Sequence, residues 1–126
     1  MRFLTFFLLL AISCPAQQRP NIIYIMSDDH DAEAISAYDK RFIHTPNIDR
    51  LAKEGMIFSW NFVGNSLCGP SRATLITGQH SNKNGMKDNR SRFDSSQLTM
   101  PKLFQQNGYQ TAIVGKWHLV SYPRGF

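Results

Sequence analysis

Three short clusters in this sequence combine residue types that can do chemistry. Asp28 and Asp29 stand side by side. Two carboxylates that close repel unless a cation or basic groups lie between them. Hard cations such as calcium or magnesium take oxygen ligands of this kind. A solvated acidic turn is the other account of such a pair, and the commoner one. Cys68-Gly69-Pro70-Ser71-Arg72 is a different constellation. Pro70 suits the first turn of a following helix, which places Cys68 at or just before a helix N-terminus. Unpaired amide donors there favour an anion. Arg72, four residues on, can fold back over the same end. A thiol, a helix end and a guanidinium together suit a tetrahedral oxyanion. An inert buried cysteine beside an exposed arginine accounts for the residues equally well. Lys116-Trp117-His118 forms the third cluster. Its lysine and histidine are two apart in a segment expected to be extended, so both can face one side.

The elements that position these clusters follow from the apolar pattern. Asn21 to Met26 is a continuous apolar run after Pro20, which predicts a strand buried on both faces. Met56 to Val63 and Tyr109 to Val114 predict two more strands. Thr45 as N-cap and Pro46 at the first position open a helix over Ile48, Leu51 and Ala52, stopped by Gly55. A second helix is expected from Ser71 to Thr77, ended by Gly78, and a third from Met100 to Asn107, capped by Thr99 and stopped by Gly108. Residues 79–97 predict a polar loop. Strands alternating with helices define an α/β fold with a mostly parallel sheet. In such sheets ligands gather beyond the carboxyl ends of the strands, and each of the three clusters follows one of the three strands.

Composition narrows the class. The 126 residues are 42% hydrophobic and 18% charged, which excludes a disordered or collagen-like chain. Two cysteines exclude a disulfide-dense scaffold. A formal charge of +5 favours anionic partners. Met1-Arg2, the apolar run Phe3 to Ile12 and Ser13-Cys14-Pro15-Ala16 have the form of a signal peptide over residues 1–16, cut after Ala16. The run is shorter than the roughly 18–20 residues that span a bilayer. The expected location is therefore periplasmic or secreted. Lipid anchoring through Cys14 is disfavoured, because Ala11-Ile12-Ser13 is a poor lipoprotein cleavage motif. Without the signal, Cys68 is the one remaining cysteine, and an exported protein with a lone thiol calls for a reason.

Cys68-x-Pro70-Ser71-Arg72, running on through Ala-Thr-Leu-Ile to Thr77-Gly78, resembles the signature of the type I sulfatases. Arg19 to Asp29 resembles that family's opening strand and metal-binding pair. Thr45 to Ala52 resembles its T-P-N-[IL]-D-x-L-A helix, and Gly108 to Leu119 its G-Y-x-T-A-x-x-G-K-W-H-L segment. Residues 84–101 are similar to bacterial sulfatases acting on sulfated sugars, including N-acetylglucosamine-6-sulfatases. The four motifs come in family order and cover most of residues 19–119.

The resemblance implies an alkaline-phosphatase-like α/β domain. It implies conversion of Cys68 to formylglycine by a formylglycine-generating or anaerobic sulfatase-maturating enzyme, and a calcium ion (or magnesium) held by Asp28, Asp29 and the converted Cys68. It further implies that Arg72 holds the hydrated aldehyde and that Lys116 and His118 contact the hydrate and the sulfate. The family mechanism has one hydroxyl of the hydrate attack sulfur in line. His118 then takes the proton of the second as the aldehyde returns. The implied substrate is a sulfated carbohydrate, with no nucleic acid and no stable membrane span. The family's later Asp-Asn pair, histidine and lysine have no counterpart up to Phe126. Residues 17–126 are therefore expected to be the N-terminal part of a truncated catalytic domain, inactive by itself. Two other classes fit parts of the pattern: a phosphonate or phosphodiester hydrolase of the same superfamily, and a non-catalytic exported module that binds anions or glycans.

Overall fold

A computed structural model describes residues 19–126. The signal peptide read over residues 1–16, including Cys14, lies outside the described residues. Four helices follow a short 3-10 turn at Ala32–Ala34: α1 (Pro46–Glu54), α2 (Cys68–Thr77), α3 (Ser81–Asn84) and α4 (Met100–Gln106). None of them is long and apolar enough to cross a membrane.

Helix α1 begins where the Thr-Pro signal places it, but Thr45 does not cap it in the expected way. Its hydroxyl makes no bond to the helix amides. It donates instead to Asp49 Oδ1 at 3.0 Å and accepts from the Ser36 N–H at 3.0 Å. Ser36 Oγ donates to Asp49 Oδ2 at 2.7 Å and accepts from the Thr45 N–H, also at 2.7 Å. Asp49 therefore ties the loop after the 3-10 turn to the start of α1. The Ser36 hydroxyl, then that of Thr45, hold its carboxyl below the usual range, with His44 and Lys40 adding to the effect.

Helix α2 starts at Cys68, earlier than the Ser71 expected, with Pro70 inside its first turn. It ends at Gly78, whose φ of 65° is the left-handed geometry a helix stop needs. Its buried face is Gly69, Pro70, Ala73 and Ile76. Helix α4 starts at Met100 as expected, with Pro101 in its first turn, and ends at Gln106 with Asn107 as its C-cap, although Thr99 contributes no side-chain cap.

Two expectations are corrected. Residues 79–97 are not a featureless loop. They contain α3 and deliver Met86 and Phe93 into the core, beside Ala73, Ile76 and Leu119, with Trp117 packed against it. Each of those two apolar residues stands alone among polar neighbours, so no helix or strand period announces it. The three predicted strands also differ. Among the described residues there is no strand, and no backbone hydrogen bond joins 21–26, 56–63 and 109–114. The mostly parallel sheet is thus not seen among the described residues, and the segment read as buried on both faces is open: Ile23 is 83% exposed and Ile25 84%. The physical reason is that an apolar run sets a preference for extended backbone, whereas a strand exists only through a neighbour's hydrogen bonds. The preference itself survives. Ile22, Tyr24, Met26 and Asp28, every second residue, line a groove of 410 Å³ whose other wall includes residues 109–117.

Candidate active site

At the end of that groove the first cluster meets the second. A carboxylate oxygen of Asp28, one of Asp29 and the Cys68 sulfur all lie within 4.8 Å of one another. Asp28 is the last groove-lining residue of its segment, and the chain turns sharply after it. Asp29 takes φ 49°, a left-handed conformation that Asp adopts more readily than most residues. Cys68 arrives as the first residue of α2.

Two cations close the arrangement. Arg72, one helical turn from Cys68 and largely buried, brings Nη2 to 3.4 Å from Asp28 Oδ1. Its Nη1 donates to the Lys116 carbonyl at 3.0 Å, which binds α2 to the third cluster. Lys116 Nζ donates to Asp28 Oδ2. That ammonium is the main cause of a lowered Asp28 carboxyl, and Arg72 and the Cys68 thiol act in the same direction. In return Asp28 raises the Lys116 ammonium. Arg72 Nε remains buried without a partner.

The structure thus brings together Asp28, Asp29, Cys68, Arg72 and Lys116. His118 does not share one extended face with Lys116, because its φ of 56° turns the backbone at that residue out of the extended conformation. Its carbonyl approaches the start of α2, lying 3.1 Å from where a Gly69 Cβ would be. Its Nδ1 is buried without a partner. In the sequence Asn89 stands out only as the first residue of an N-glycosylation sequon, Asn89-Arg90-Ser91, not as a neighbour of Cys68. The Asn89 Oδ1 accepts the Gly69 N–H at 2.9 Å, beside Cys68.

The donor set fits a hard divalent cation. Two carboxylates converge there, and two basic side chains meet the charge of one of them, Asp28. At position 68 an oxygen would suit such an ion better than the softer thiol sulfur.

This geometry sits on a recognised family pattern: a family model described as Sulfatase matches residues 20–125, and the chain belongs to the sulfatase family, whose members are sulfuric ester hydrolases. Among individual relatives, it is 54% identical over 109 residues to an N-acetylglucosamine-6-O-sulfatase of Bacteroides thetaiotaomicron, a match covering 86% of this chain and 20% of that protein. It is 36% identical over 128 residues to the steryl-sulfatase of Homo sapiens, covering 93% of this chain and 22% of that one. The solved structure of BT4656 in complex with its substrate D-glucosamine-2-N,6-O-disulfate superposes with a TM-score of 0.85 at 54% identity, covering 86% of this chain and 22% of that chain. The chain therefore spans about a fifth of the length of the relatives it matches. The neighbour's alkaline-phosphatase-like fold is the architecture to which the described segment corresponds.

Proposed function

We propose that this chain carries the cation-binding and nucleophile-bearing end of an exported sulfuric ester hydrolase that acts on a sulfated sugar. The observation that carries the proposal is the meeting of Asp28, Asp29 and Cys68 within 4.8 Å, from segments forty residues apart. A solvated acidic turn or an inert thiol would not need the other. The sugar class is supported by the names of the relatives at 54% identity.

In this account Cys68 is converted to formylglycine by a maturating enzyme, and Asp28, Asp29 and the new oxygen at position 68 hold calcium. When bound, the ion polarises oxygen and offsets sulfate charge. The chain's own residues do the rest. Arg72 is fixed by Asp28 and the Lys116 carbonyl, so its guanidinium is held beside the carboxylate that meets the Cys68 sulfur. Lys116, whose ammonium lies on Asp28, would supply a positive charge for the anionic ester. His118, with Nδ1 buried and unpaired, is the group to hold a proton at the ring nitrogen. The signal-peptide pattern over residues 1–16 supports export, to the periplasm or outside the cell, with residues 17–126 belonging to the catalytic domain.

The test is turnover by the complete polypeptide bearing this segment, matured with a formylglycine-generating enzyme. It should release sulfate from glucosamine 6-sulfate derivatives and aryl sulfates, in a manner abolished by chelator. A preference for aryl phosphodiesters would instead assign the phosphoesterase branch. Glycan binding without turnover would assign a non-catalytic module.

A further inference from the structure

Helix α2 begins without a cap of its own. Leu67 precedes it and has no side-chain oxygen, so the Gly69 N–H needs an acceptor from elsewhere. Asn89 provides it, with Oδ1 at 2.9 Å from a position twenty residues along the chain.

The fit around that bond is tight. A Cβ on Gly69 would lie 2.7 Å from Met86 Cε, 3.1 Å from the His118 carbonyl oxygen and 3.2 Å from Asn89 Oδ1. Met86, Asn89 and His118 thus converge on the residue next to Cys68, and a Cβ there would press on the Met86 methyl and the His118 carbonyl. The loop that carries Asn89 is itself held on both sides. The Arg90 and Ser91 amides donate to Asp88 Oδ1 at 2.9 and 2.7 Å. Met86 is fully buried, and its N–H donates to Asn84 Oδ1 at 2.8 Å. The Phe93 N–H donates to the Leu119 carbonyl at 3.1 Å, beyond the Lys-Trp-His cluster.

We propose that Asn89 is a positioning residue for position 68. It clamps the first turn of α2 between the Met86 loop and the segment carrying Lys116 and His118, and so sets the distance from the reactive atom at position 68 to Asp28 and Asp29. The inference rests on the reading of those three residues as one site. Supporting partners of this kind matter because a reacting group displaced by about 1 Å loses roughly two orders of magnitude in rate.

The experiment uses the full chain with Cys14→Ser, fused to a cysteine-free solubilising protein because its apolar segments are exposed, and left unconverted so that Cys68 is the sole thiol. Two probes are read: the iodoacetamide alkylation rate of Cys68, and the ultraviolet thiolate-to-metal absorption on titration with cadmium alone. Asn89→Leu keeps the side-chain volume and removes the acceptor. It should raise the alkylation rate and weaken cadmium binding, each by about tenfold. Asn89→Asp keeps the oxygen and should stay near wild type in both. Amide exchange separates positioning from general destabilisation: in the Leu variant Gly69 should exchange faster while Gly78, at the other end of α2, does not. Equal acceleration at Gly69 and Gly78 overturns the proposal. So does an Asn89→Leu chain that matches wild type, or an Asn89→Asp chain that falls with it. A wild-type chain that shows no cadmium band, yet keeps the acceptor-dependent alkylation, would uphold the positioning role and refute the cation reading beneath it.

Discussion

Asp28 faces a basic group on each oxygen and a thiol beside them, and that crowding is what separates it from an ordinary surface carboxylate. Lys116 and Arg72 neutralise it here, yet neither balances Asp29. The complete polypeptide is therefore expected to lose at least tenfold in calcium affinity on Asp29→Ala, measured by titration calorimetry. Unchanged affinity would remove Asp29 from the cation site. His118→Ala is expected to lower turnover by roughly 10²–10⁴, the range proton transfer by a side chain contributes. A loss confined to KM would assign His118 to binding rather than proton transfer. Much of the site was legible at this scale. Asp28, Asp29, Cys68 and Arg72 are contiguous pairs and runs whose types announce their chemistry, and the structure joins them. The turn at His118 was not legible, because nothing in Lys-Trp-His signals a positive φ. The tie from Asn89 to Gly69 was hidden for a different reason: a bond across twenty residues leaves no mark on local pattern.

Helices were readable because their stops are chemical. Gly78 takes φ 65° with nothing within 4 Å of a would-be Cβ, so Gly78→Ala meets no clash and its cost is conformational alone. The expected loss is about 1–2 kcal/mol, measured by denaturant unfolding. The tie between the 3-10 turn and α1 gives a second prediction. Ser36 is 3% exposed and serves both Asp49 and Thr45. Ser36→Ala should cost about 1–3 kcal/mol, since it removes hydrogen bonds to the half-buried Thr45 and to the charged, half-buried Asp49. The same knot sets a pH dependence. Asp49 is held below the usual carboxylate range, so its contribution is complete above the ordinary carboxylate value and disappears as pH falls through the lowered one. Thermal midpoints of Asp49→Asn should be lower than wild type near neutrality and converge with it in strong acid. A constant gap at all pH values would contradict this sign. Strands were less legible than helices, because a helix closes its hydrogen bonds within itself and a strand cannot. The segment 21–26 has the right residues and even the alternation toward the groove, but no pairing partner among the described residues.

At the scale of the whole molecule, the apolar segments of the groove stand open while a small core forms around α2. Exposed apolar runs with free backbone groups favour association with other chains. Residues 17–126 by themselves are expected to aggregate and to release no sulfate, even with Cys68 converted. Two carboxylates and one further side chain fall short of the roughly 6–8 oxygens calcium takes. A soluble monomer with chelator-sensitive hydrolysis of an aryl sulfate would show that the segment is sufficient. Everything proposed for the reaction depends on one atom, the sulfur at position 68. The most direct measurement is therefore the mass of the peptide containing Cys68, after the chain is coexpressed with a formylglycine-generating enzyme. The account predicts loss of the thiol and appearance of an aldehyde that reacts with a hydrazide, and no conversion in Pro70→Ala or Arg72→Ala. A Cys68 that remains fully alkylatable after coexpression would contradict it.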